Sequence, residues 1–205
     1  MIRAMQHTLG ALLLGITVIS ANAANVVVHV TDTAAAPALD AVAYAESASG
    51  QTLPKLLRPA QVEQKARRFA PLVTVIQTGS VVSFPNHDTV RHHVYSFSPS
   101  KVFELKLYSG AGGDPIIFEK AGTVVVGCNI HDQMAAYIQV VDTPYFGKTD
   151  ADGNTTLENL PPGKYRLKLW HPNQPAGAMP TEQLLTVTTS DQTINMALPF
   201  KAPRK

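Results

Sequence analysis

Short β-branched and aromatic runs recur along the whole chain, at residues 26–30, 72–77, 92–97, 123–128 and 165–170 among others, and no long helical period interrupts them. Clusters of Gly, Pro, Asn and Asp separate the runs, a layout that confines the chain to an antiparallel sandwich or barrel. Further candidate strands fall at 41–44, 80–84, 102–107, 137–141, 155–157, 183–188 and 193–197. The stretch 47–68 is richer in Lys, Arg, Gln and Ala and weakly patterned. It reads as a connection, either a plain loop or one carrying a short helix around 61–67.

The amino terminus is set apart from the fold. Arg3, an apolar run at 9–19 and the triplet Ala21-Asn22-Ala23 have the layout of a secretory signal peptide, residues 1–23, cleaved after Ala23. Thr8, Thr17, Ser20 and Asn22 dilute the apolar stretch, which is short for a bilayer span. The mature protein is therefore expected in the periplasm, without stable membrane insertion. What is left of the 205 residues suffices for one large β domain or two small ones. A net charge of +2 provides no strong field for nucleic acid or anionic lipid, so nucleic-acid partners are not expected.

Cys128 is the sole cysteine. In an oxidising compartment a lone thiol is paired between chains, engaged in chemistry, or buried and inert. Its neighbours decide between these: Cys128, His131 and Met134 share one short loop after the apolar run 123–127. Thiolate, imidazole and thioether together suit copper, which accepts two His and one Cys with a weak axial Met, whereas zinc seldom uses Met. A second imidazole must come from elsewhere, and the strand beginning His92-His93 offers it. Successive strand residues point to opposite faces, so one of the two histidines can face the loop.

The pattern Val82-x-Phe84-x-Asn86, then His92-x-Val94, then Gly127-Cys128-x-x-His131 resembles the copper-binding pattern of cupredoxins, the plastocyanins, amicyanins and pseudoazurins, over roughly 69–141. With "FPNHD", "GCNIHDQM" and "WHP", the closest resemblance is to the MauL-like methylamine-utilisation group. The resemblance implies one copper ion held by His92, Cys128, His131 and Met134. His92 takes the position of the family's amino-terminal ligand, six residues after Asn86. His93 stands where these families usually carry an Asn that fastens the two ligand loops, which gives it a supporting role. Met134 follows His131 by three positions, a shorter step than in plastocyanins, pseudoazurins or azurins, though the copper centre of cytochrome oxidase uses it. Such a step places the sulfur axially, or leaves a backbone oxygen or nothing there.

The fold implied is a cupredoxin-like Greek-key β-sandwich at 69–143. A second texture, "TDADGNTTLENLPPGKYRLKLW", resembles carboxypeptidase-regulatory-like or transthyretin-like modules and marks a small β-sandwich unit at 147–200. Residues 24–46 resemble the first strands of that same module, so they are expected to pair with the carboxyl-terminal unit, with 47–68 as connection. The implied function is single-electron transport between redox proteins, not catalysis, with partners meeting an apolar surface around His131 to which Tyr145 and Phe146 contribute. The alternative is a copper-binding module for delivery, storage or sensing. Elsewhere the polar residues read as structural: His87 and Asp88 as a solvated turn, His29 as an outward strand residue and His171 as a strand end packed on the core. Asp150, Asp152 and Asn154 form a turn cluster that lacks the full twelve-residue calcium pattern.

Overall fold

The computed structural model describes residues 23–175 and 177–202, so the signal-peptide reading of 1–22 lies outside the described residues. The fold class is all-β. In chain order the strands are β1 (Ala24–Thr31), β2 (Val42–Ser47), β3 (Ala60–Gln61), β4 (Glu63–Lys65), β5 (Arg68–Ala70) and β6 (Val73–Gln77). There follow β7 (Val81–Ser83), β8 (His92–Ser98), β9 (Lys101–Tyr108), β10 (Ile116–Ile117), β11 (Gly122–Cys128) and β12 (Ala135–Val141). The chain closes with β13 (Phe146–Lys148), β14 (Asn154–Leu160), β15 (Gly163–Trp170), β16 (Thr181–Val187) and β17 (Gln192–Ala197). Among the described residues no helix is long and apolar enough to cross a membrane.

Two cores organise these strands. In the middle of the chain, a five-stranded sheet in the order β6-β12-β11-β8-β9 and a smaller sheet β10-β7-β3 enclose Val82, Phe84, Phe118, Val126, Cys128 and Ile138. The alternation of β11 explains the packing: Val124, Val126 and Cys128 turn inward while Val125 is exposed. The other unit joins distant parts of the sequence. β1 is the central strand between β14 and β17, and β2 lies between β13 and β15, with β16 at the far edge. Val26, Val28 and Val30 of β1 are buried against Leu157, Leu167 and Leu169. Val42, Tyr44, Val73, Val141 and Trp170 pack between the two units.

The weakly patterned stretch contains no helix. Residues 63–70 form a two-stranded hairpin, β4 with β5, whose turn residues Ala66 and Arg67 adopt φ of 52° and 55°. Tertiary contacts override the modest helix propensity here. Val62 N–H donates to Ser83 O and Gln64 N–H to Pro85 O, while Val62 and Phe69 enter the middle core. Gln64 is buried and its amide donates to Phe84 O and to Tyr108 Oη, which ties the hairpin to β9.

His171 directly follows β15 and is buried, with its ring 5.5 Å from that of Phe200. Nδ1 accepts from the Asn173 N–H, so the neutral ring carries its proton on Nε2 and donates to Leu39 O. Burial holds its pKa below the ordinary 6.5, against the opposing pull of Leu39 O and Asp40. A depressed folded pKa means that the unfolded chain binds the extra proton first. The contribution of His171 is therefore complete above pH 6.5 and is lost as pH falls through its folded value. Urea midpoints measured on either side of pH 6.5 should fall on the acid side, and less so in His171→Gln. An equal acid loss in both proteins would assign the effect elsewhere.

Candidate metal centre

The geometry starts from the pairing of β8 with β11. Cys128 is in register with Val94, and His92, two residues before Val94, points to the same inner face. His92 and Cys128 therefore meet as diagonal neighbours at one end of the sheet. His93 points outward. Its Nε2 lies 2.9 Å from Glu104 Oε1, at ion-pair distance but not aligned as a hydrogen bond, and its ring stands edge-on to Tyr95.

After Cys128 the chain turns back on itself. Met134 N–H donates to His131 O and Cys128 N–H donates to Met134 O, which closes the loop. This brings His131 Nδ1 to 3.9 Å from Cys128 Sγ, while His92 Nδ1 lies 3.8 Å from the same sulfur. One donor atom from each of His92, Cys128 and His131 lies within 4.8 Å of the others. Ligand bonds of about 2.0–2.3 Å arranged trigonally around one ion would separate sulfur from nitrogen by roughly 3.8 Å, so these spacings fit a single metal. The donor set of two imidazoles and one thiolate, with no carboxylate, fits copper.

Burial differs across the set. His92 is 0% and Cys128 4% exposed, while His131 is half-buried at the edge. Met134 is 1% exposed and belongs to the same core as Cys128. Both line a surface cleft of about 490 Å³ together with Tyr95, Phe97, Gly127 and Asn129. A Cβ at Gly127 would stand 3.0 Å from the outer end of the Tyr95 ring, so a larger residue there would push that ring aside. Tyr108, close to Cys128, is pushed up to about 12, chiefly by burial, and stays a neutral donor to Phe84 O.

Two expectations change. Asp88 is not a solvated turn residue: its Oδ2 lies 2.8 Å from His92 Nε2, and its carboxylate also accepts from the Ala66 and Arg67 amides. The Arg67 amide most, with His92 and the Ala66 amide, holds its carboxyl below the usual carboxylate range in spite of the opposing effect of burial. The supporting role expected of His93 is thus filled by other residues, since strand alternation carries His93 away from the loop. Buried Asn86 shapes the 86–90 turn, accepting from the Asp88 N–H and donating to Val90 O and Tyr108 O. A carboxylate four residues before a candidate ligand histidine was the sequence signal for Asp88, but its ambiguity is resolved only by the turn at 66–67.

Other positions behave structurally. Tyr145 is buried in the terminal core against Tyr165, and Phe146 packs partly buried between the units, which removes Tyr145 from any surface around His131. His29 Nδ1 lies 2.9 Å from Asn154 Oδ1. Asp150 Oδ1 accepts from the Asp152 and Asn154 amides, as turn chemistry requires.

No protein-family model matches the chain, and no curated protein sequence does. Among solved structures, the chain is similar to a novel purple cupredoxin from Nitrosopumilus maritimus, at 24% identity over 40% of this chain and 99% of that one, with a TM-score of 0.33. It is also similar to amicyanin from Paracoccus versutus, at 17% identity over 47% of this chain and 91% of that one, TM-score 0.36. A Cu-containing nitrite reductase from Thermus scotoductus SA-01 matches at 23% identity over 55% of this chain, TM-score 0.38; the match spans 28% of that reductase.

Proposed function

We propose that this protein is an exported, periplasmic copper protein of the cupredoxin type, in which His92, Cys128, His131 and Met134 hold one copper ion and carry single electrons between redox proteins. The reading rests on one observation above the others, the convergence of two imidazoles and a thiol within 4.8 Å at the end of a packed sheet. Copper bound there supplies a one-electron couple between Cu(I) and Cu(II). The chain supplies rigidity: His92 and Cys128 stand on paired strands, and the loop between Cys128 and Met134 is closed by its own backbone hydrogen bonds. Met134, buried in the same core as Cys128, would complete the donor set with its thioether, a weak ligand that tolerates imperfect placement. His131, the half-buried member, faces the partner.

The motifs "FPNHD", "GCNIHDQM" and "WHP" favour the MauL-like group within this type. Among the described residues His92, Cys128 and His131 are the one group of three His, Cys, Asp or Glu side chains that gathers its donor atoms. Delivery or storage of copper is the second reading, favoured by the open cleft that reaches Cys128 and Met134.

The deciding experiment is the absorption and electron-paramagnetic-resonance spectrum of the mature protein after addition of Cu(II), followed by ascorbate and reoxidation. An intense visible thiolate-to-copper band that bleaches and returns is the expected result. A colourless complex overturns the carrier, and a band that is lost with the metal on reduction supports delivery.

A further inference from the structure

His92 has two ring nitrogens, and both are spoken for by the fold. Nδ1 is the atom near Cys128 Sγ, and Nε2 lies 2.8 Å from Asp88 Oδ2. An ionised carboxylate only accepts, so the neutral ring must carry its proton on Nε2 and leave the Nδ1 lone pair bare toward the sulfur. Asp88 is itself held from three directions. The consecutive amides of Ala66 and Arg67 donate one to each of its oxygens, and its own amide donates to Asn86 Oδ1. The two turn amides can point together at one carboxylate because both residues adopt positive φ. The β4–β5 hairpin thus ends on the carboxylate that touches His92, and His92 is wholly buried.

We propose that Asp88 is a positioning residue of the metal centre, a carboxylate fixed by the 66–67 turn that selects Nδ1 of His92 as the donor and biases the site toward the oxidised ion. The inference builds on the copper reading above. A carboxylate that accepts from a ligand imidazole N–H raises the basicity of the other nitrogen and adds negative charge beside the site. Cu(II), the more highly charged ion, gains more from both effects than Cu(I). The carboxylate therefore lowers the reduction potential, and its neutralisation raises it. The hairpin matters because it holds Asp88 in place through the backbone amides of Ala66 and Arg67.

Two measurements on variants of Asp88 test this, the first on Asp88→Asn, since Asn keeps the shape and one acceptor oxygen but not the charge. On the copper-loaded protein, the preference for Cu(II) over Cu(I) should drop about tenfold, the lower end for loss of such a partner. That is about 59 mV upward for a one-electron couple. Asp88→Ala, which removes the acceptor as well, should shift it at least as far. On the metal-free protein, well above pH 6.5 where imidazole is neutral, long-range proton–nitrogen correlations should show His92 as the Nε2–H tautomer in the wild type and as a mixture in Asp88→Ala. A carboxylate that merely stiffened the turn would change hydrogen exchange at 63–70 while leaving the potential and the tautomer alone, and that result overturns the proposal. If the wild type gives no thiolate band, the copper reading fails on its own, and the metal-free tautomers still decide whether Asp88 sets His92.

Discussion

Cys128→Ala is expected to abolish the visible absorption of the copper-loaded protein, because the thiolate is the source of the charge-transfer band and the loop offers no other sulfur but Met134, a neutral thioether. The fold should survive. Cys128 is almost fully buried in the middle core, and exchanging its sulfur for a small void costs about 1 kcal/mol. A colourless yet folded variant therefore reports on the metal and not on packing. His93→Ala is the matched control: its ring lies on the outer face beside Glu104 and Tyr95, so the band should persist with little change. His92→Ala should remove or strongly perturb it. Colour retained in Cys128→Ala, or lost in His93→Ala but not in His92→Ala, would redraw the site.

The largest effect on stability is expected from the other end of the molecule. Deleting residues 24–31 from the mature chain removes the strand between β14 and β17, so both lose their sheet partner at once. Val26, Val28 and Val30 leave a core in which each is completely buried, and burial of such a side chain contributes about 1.5–3 kcal/mol. With two edges of backbone hydrogen bonds also lost, the total reaches the 5–15 kcal/mol that a whole domain typically has. Hydrogen exchange should show protection lost at 154–197 and largely kept across β8, β11 and β12, whose packing belongs to the separate middle core. Val28→Asp should produce a milder form of the same pattern. Uniform loss of protection would mean that the contacts of Val42, Tyr44, Val141 and Trp170 weld the two units into one cooperative body.

Much of this was legible in the residues themselves. The two-residue period of β8 turns His92 inward and His93 outward, and the same period buries Val124, Val126 and Cys128. Turn clusters marked the ends of most strands, as at 150–154, where Asp150 accepts the amides of its own turn. The helix considered for 61–67 was a failure of weak local patterning: the hairpin there depends on backbone partners at Ser83 and Pro85 and on Asp88, none of them adjacent in sequence. Tyr145 looked like a surface aromatic because its neighbours are Pro, Phe and Gly, and only the terminal core shows that it is enclosed.

By itself the sequence determined that the chain is all-β, which side chains of each strand share a face, and that a thiol and an imidazole lie on one short loop, because periodicity and spacing are local properties of a polypeptide. Tertiary structure alone decided the register in which β1 and β2 join the last strands of the chain, the 3.8 Å at which His92 Nδ1 stands from Cys128 Sγ, and that Asp88 faces His92. Those outcomes depend on which distant segments pair and in what register. A carboxylate in a turn has the same local appearance whether it faces solvent or accepts two amides and an imidazole. The difference lies in a hairpin more than twenty residues earlier in the chain that closes onto it.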